Sequence, residues 1–135
     1  MTRFASHKPA TVLIVESEAV VRLELSGRLS QMGLLVLVAS DADEAIALLD
    51  SNPNIEVMFT DITMSGSMDG IRLAHHVRDR WPPVKIIVAS GMIGTQLSDL
   101  PSDSIFLPKP YAPEALAGAL SQMITGGGSR HALRA

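Results

Sequence analysis

The stretch 56-EVMFTDITMSGSMDG-70 decides the fold. An apolar run, Val57, Met58 and Phe59, passes through Thr60 and stops on one carboxylate, Asp61. A loop of Gly, Ser and Met follows. A run this short and this apolar reads as a strand covered on both faces, and the glycines mark a turn after it. The acid therefore stands where a rigid strand meets an accessible loop.

Working outward, four more runs of strand length appear: TVLIV (11–15), LLVLV (34–38), KIIVAS (85–90) and SIFL (104–107). They are rich in β-branched residues and do not alternate with polar ones, as expected of strands buried on both faces of a parallel sheet. Helical patterns lie between them. Residues 18–32 place Ala19, Leu23 and Leu29 toward one face, and Gly33 stops that helix. The second helix opens on a capping box, Asp41 with Glu44, and ends before Pro53. The third runs from about Ile71 to Arg80, ahead of Pro82 and Pro83. The last carries Pro113 and Glu114 in its first turn and ends at the glycines 126–128. Residues 91–103, broken by Gly91, Gly94 and Pro101, predict only a short, comparatively mobile helix.

The alternation predicts an α/β fold: a flavodoxin-like, doubly wound (βα)5 unit with a five-stranded parallel sheet in the order 2-1-3-4-5. It occupies residues 11–125, between a flexible N-terminus (1–10) and a flexible tail (126–135). The 135 residues suit one domain. With 47% apolar residues the chain can build a core, and with 4% aromatics that core is mostly aliphatic. A net charge of −3 without a basic block argues against nucleic-acid binding. The absence of cysteine excludes disulfides and thiolate metal sites. No run is long enough to span a bilayer, so the expected setting is cytoplasmic.

In this strand order, ligands bind beyond the carboxyl ends of the strands, near strands one and three. Glu16 and Ser17 follow strand one, Asp61 ends strand three, Ser90 ends strand four, and Lys109 follows strand five. Neighbouring strands are about 4.8 Å apart, so Glu16 and Asp61 are expected close together. Paired carboxylates call for a cation, and Mg²⁺ prefers such oxygen donors while keeping room for a phosphate. Asp61 is then placed as a nucleophile toward a phosphoryl group, with Lys109 balancing charge.

The set VLIVESE, FTDI, MDG, VASG and FLPKPY, at successive strand ends, resembles the receiver domain of two-component response regulators over about residues 11–125. The resemblance implies a phosphorelay in which a histidine kinase or a histidine phosphotransfer protein donates phosphate to Asp61. It implies Mg²⁺ held by Glu16, Asp61 and the backbone carbonyl of Thr63, and Lys109 paired with the phosphate before a Pro110 that is often cis. It implies a switch in which Ser90 moves to the phosphate and Phe106 swings inward. The face over residues 90–125 then binds a downstream protein. The chain departs from the family at Ser17, where a second acid normally supplies a metal ligand; a hydroxyl is a weaker one. Ser17 alternatively caps the first helix.

That departure keeps a second reading in view: a pseudo-receiver, an interaction domain with weakened metal binding and phosphorylation. An aspartate-nucleophile phosphatase is disfavoured, because Thr63 stands where that chemistry wants a second acid, and no enzymatic turnover is expected. A flavin site is disfavoured by the acidic ESEAV loop after strand one. Whether copies of the chain pair is left open, as is membership of a hybrid kinase, although Met1 and the short tail favour a single-domain regulator.

Overall fold

The computed structural model describes residues 9–64, 66–91 and 97–124. Five strands, β1 (Thr11–Val15), β2 (Leu35–Ala39), β3 (Ile55–Asp61), β4 (Lys85–Ser90) and β5 (Ile105–Pro108), form one sheet. Four helices are present among the described residues: α1 (Ala19–Gln31), α2 (Ala42–Ser51), α3 (Gly70–Arg80) and α4 (Pro113–Ile124). All strand pairs are parallel and the order is β2-β1-β3-β4-β5, as the alternation predicts. Of the weak helix expected over 91–103, the described residues contain a single 3-10 turn, Leu97–Asp99; residues 92–96 lie outside the described set. So do the tail expected after 125 and residues 1–8 of the expected flexible start. Ala10, by contrast, is buried, and its carbonyl accepts from Leu35 N–H at 2.9 Å.

Successive residues of a strand point to opposite faces, and the core divides accordingly. Val12, Ile14, Phe59 and Ile87 pack with Leu25 and Leu29 of α1 and Leu116 and Leu120 of α4. Leu13, Val15, Met58 and Val88 pack on the other face with Leu49 of α2 and Leu73 and Val77 of α3. β1 is buried along its whole length, because both its faces carry helices.

The helix termini follow the sequence closely, with informative differences. Asp41 caps α2 by accepting from Glu44 N–H at 2.9 Å. Glu44 reaches back one residue further than a capping box requires, to the N–H and hydroxyl of Ser40. That pairing holds the Glu44 carboxyl below its usual range, backbone hydrogen bonding first. Asp69, not singled out in the sequence, caps α3 through Arg72 N–H. Ser17 does not cap α1: the cap position is Glu18, without a side-chain bond, and the Glu18 N–H is taken by the Glu16 carboxylate at 2.9 Å. The apolar face expected of α1 is also corrected. Leu29 is buried, but Leu23 is 77% exposed and Ala19 lies outside. The inward stripe is Val21, Leu25, Leu29 and Met32, whose spacing follows the 3.6-residue turn, while Leu23 falls half a turn away.

Two further features set the frame of the site. Gly70, the first residue of α3, lies directly against the end of β3: its N–H donates to Ile62 O at 2.8 Å. A Cβ there would stand 2.1 Å from the Asp61 carbonyl oxygen. At the opposite edge of the sheet, the Arg78 guanidinium donates to the carbonyls of Pro82, Val84 and Ser102 at 3.0–3.2 Å. One side chain thus joins the end of α3, the entry to β4 and the approach to β5.

Candidate functional site

The carboxyl edge of the sheet gathers the residues the sequence assigned to strand ends. Register pairs Val15 with Thr60 and Asp61 with Ala89, so Glu16, Asp61 and Ser90 fall on adjacent strand ends. Backbone bonds continue past the strands: Glu16 N–H to Ala39 O, Ile62 N–H to Ala89 O and Lys109 N–H to Ser90 O, at 2.9–3.0 Å. The loops that carry the site therefore leave the sheet in fixed directions.

Lys109 Nζ donates to Asp61 Oδ2 at 2.8 Å, with the Asp61 side chain 12% exposed and that of Lys109 37% exposed. The Lys109–Pro110 bond is cis. Ser90 is buried beside this pair of strand ends, and Phe106 is half-buried on β5, packed against the second core. Thr63 is exposed in the loop after Asp61. Thr60, one residue before Asp61, turns its hydroxyl to the Asp61 carbonyl at 3.0 Å. Downstream, Ser67 donates to Asp43 on α2 at 2.8 Å, and Gly66, at a φ of 109°, passes close to Asp41. The β3–α3 loop is thereby held against the start of α2.

Glu16 is 5% exposed, and among the described residues no cation lies within ion-pair distance of it. One of its oxygens accepts from Glu18 N–H; a buried carboxylate with so little compensation is suited to an added positive ion. Hard carboxylate oxygens on Glu16 and Asp61, with a loop carbonyl after Asp61, form a donor set that Mg²⁺ accepts, completing its shell with water. Ser17 is exposed, and its carbonyl, like that of Glu16, is held by the Arg22 guanidinium at 3.2 and 2.8 Å. Among the described residues no group of three or more acids or histidines that could hold a metal is present. The donor set thus fits Mg²⁺ with two carboxylates where an acid in place of Ser17 would have made three.

Sequence reasoning missed Tyr111. Its ring meets Phe59 edge-on at 6.0 Å and lines a shallow groove between α1 and α4. Burial, then the charges of Glu16 and Asp61, push its phenol above the ordinary tyrosine range, while Arg28 acts in the opposite sense. The aromatic after Pro110 was the available signal. His75 and His76 diverge, as adjacent helical residues must: His75 Nε2 lies 2.9 Å from the Asp99 carbonyl, and His76 packs on Trp81.

A doubly wound sheet with an acid ending β3, a second acid after β1, and a lysine bonded to the first defines a receiver domain. The model of the response regulator receiver domain family matches residues 12–121, and the chain belongs to that family, whose place is in two-component signalling. It is 32% identical over 119 residues to the sensor kinase CckA of Brucella abortus, covering 85% of this chain and 12% of that protein. It is 33% identical over 127 residues to the hydrogenase transcriptional regulatory protein HoxA of Cupriavidus necator, covering 91% of this chain and 26% of that protein. The chain therefore spans only a small part of these curated relatives. Among solved structures, a response regulator receiver protein from Sinorhizobium medicae superposes with a TM-score of 0.80 at 31% identity, covering 89% of this chain and 98% of that one. Among the described residues no helix is long and apolar enough to cross a membrane.

Proposed function

We propose that the chain accepts a phosphoryl group on Asp61 from a histidine kinase or a histidine phosphotransfer protein and signals through protein contacts. The observation that carries this reading is the Lys109–Asp61 contact at 2.8 Å beside the buried Glu16. An Asp61 oxygen attacks phosphorus, the O–P bond forms, and the P–N bond of the donor phosphohistidine breaks, its electron pair leaving with the imidazole. Lys109 then turns its ammonium from the carboxylate to the phosphoryl oxygens. Glu16, Asp61 and the Thr63 carbonyl would hold Mg²⁺, which when bound neutralises phosphoryl charge. Ser90 supplies a hydroxyl to a phosphoryl oxygen, and Phe106 follows it inward. The surface over residues 90–125 carries the output to a partner. The chain is a phosphoacceptor, not an enzyme with turnover, in a bacterial cytoplasm.

The donor must approach over the rim around Asp61. Val20 and Leu23 stand outward on the first half of α1, 76% and 77% exposed, and offer an apolar face to a donor helix there. A second reading, the pseudo-receiver, is favoured by Ser17. Incubation with acetyl phosphate and Mg²⁺, read by intact mass, decides between them. One added phosphoryl group, lost in Asp61→Asn, supports the first reading. No addition, either there or with a cognate phosphodonor, supports the second.

A further inference from the structure

β2 is as apolar as the central strands, yet it lies at the edge of the sheet. The sequence LVLVA contains no charge, proline or glycine. Leu35 is 51% exposed and Val38 42%, and they are two of the four large apolar residues the described chain leaves exposed. The adjoining β1, of similar composition, is wholly buried. Edge strands are ordinarily protected by charge, proline or a bulge, because their free N–H and C=O groups template pairing. The other edge, β5, is four residues long and ends in Pro108, which has no N–H to donate. β2 has no such device.

Among the described residues β2 pairs only with β1, and its outer edge has a defined pattern. Leu35 N–H donates to Ala10 O, and Ala39 O accepts from Glu16 N–H, so these residues turn their backbone groups toward β1. Two-residue alternation then points the N–H and C=O of Val36 and Val38 out of the sheet.

We propose that β2 pairs antiparallel with β2 of a second copy of this chain, about a two-fold axis through Leu37. Val36 and Val38 of one protomer exchange backbone hydrogen bonds with Val38 and Val36 of its partner. Leu37 meets Leu37, and Leu35 meets Ala39, so each apolar side chain faces another. A second copy is the fitting occupant because the strand offers no charge by which to select a charged partner, and its own sequence is the complementary uncharged strand. The pairing closes on itself. A β2-to-β5 contact, which would propagate, is blocked at Pro108. This pairing needs no phosphorylation and stands apart from the chemistry at Asp61.

The chain has no cysteine, so Leu37→Cys introduces a single thiol. At the two-fold axis the Cα atoms would lie about 4.5 Å apart, within disulfide reach. Residue 35 would be roughly 14 Å from its symmetry mate by strand rise. Mild oxidation is expected to cross-link Leu37→Cys and to leave Leu35→Cys monomeric on a denaturing gel. By sedimentation equilibrium, the unaltered chain and Asp61→Asn form the same dimer. Val38→Lys, shown by circular dichroism to be folded, raises the dissociation constant about tenfold or more, and Leu23→Lys on α1 leaves it unchanged. A chain that stays monomeric, or that forms open-ended oligomers, overturns the proposal. So does a dimer that survives Val38→Lys or dissolves with Leu23→Lys, or equal cross-linking at positions 35 and 37.

Discussion

Gly70→Ala tests how tightly α3 is set against the phosphoacceptor strand. The new Cβ would lie 2.1 Å from the Asp61 oxygen and 2.8 Å from both the Asp61 carbonyl carbon and Ile62 Cα. All three atoms are backbone, so no side chain can rotate away. Restoring an ordinary contact of 3.4 Å requires the start of α3 to retreat by 3.4 − 2.1 = 1.3 Å. That movement weakens the Gly70–Ile62 hydrogen bond, a loss of about 1 kcal/mol. Forcing a methyl into a packed contact costs about 1–3 kcal/mol more. Removing a glycine from a helix returns at most about 1 kcal/mol. Taking the full return, the net destabilisation is about 1–3 kcal/mol. With an unfolding entropy of about 2.1 cal/mol/K per residue over 135 residues, the melting temperature falls by roughly 4–11 °C. Urea titration and calorimetry measure both quantities. Because the crowded atom belongs to Asp61 itself, modification by acetyl phosphate should also slow at temperatures where the variant is fully folded. A variant within about 0.5 kcal/mol of the parent chain, phosphorylated at the same rate, would falsify the argued contact.

Asp61→Asn should take no phosphoryl group by intact mass while changing stability by less than about 1 kcal/mol, since its lysine partner is more than a third exposed. Ser17→Asp should tighten Mg²⁺ binding, measured by calorimetric titration; unchanged affinity would show that position 17 does not face the cation. Tyr111 is the single tyrosine, so phenolate absorbance reports it alone, with its midpoint above about pH 10. Its proton is held more tightly in the folded chain. The associated stability is complete below about pH 10 and declines as pH rises through the raised value, a slope that Tyr111→Phe should lack. Glu16→Gln should lower that midpoint. Asp41→Ala removes the α2 cap and should cost about 1 kcal/mol in urea unfolding.

Strand composition and helix punctuation carried the fold. TVLIV and KIIVAS coincide with β1 and β4, and Gly33, at a φ of 92°, follows the α1 cap as the glycine signal requires. These features are local, and local chemistry is what a sequence displays. What escaped was set by tertiary placement. LLVLV reads as a buried strand because its residues are apolar, but exposure depends on which strand ends the sheet. Leu23 was assigned inward because a short helix with apolar residues on two sides has no unique face; packing chose the stripe through Leu25 and Leu29. At the site, the order of strand ends sufficed to bring Lys109 to Asp61 across 48 residues of sequence. The bond from Glu16 to Glu18 N–H, which displaces Ser17 as a cap, depends on how the chain turns out of β1 and has no sequence signature.

Arg78 gives the molecule an anchored foot. A guanidinium fans its N–H groups in one plane and can serve several carbonyls at once, which the compact ammonium of a lysine does less well. With three segments moored to that one cation, the amino ends of β4 and β5 resist sliding past each other. The sheet is thus tied down at the end remote from the acidic rim, and the stretches that bear Asp61 and Lys109 share none of those moorings.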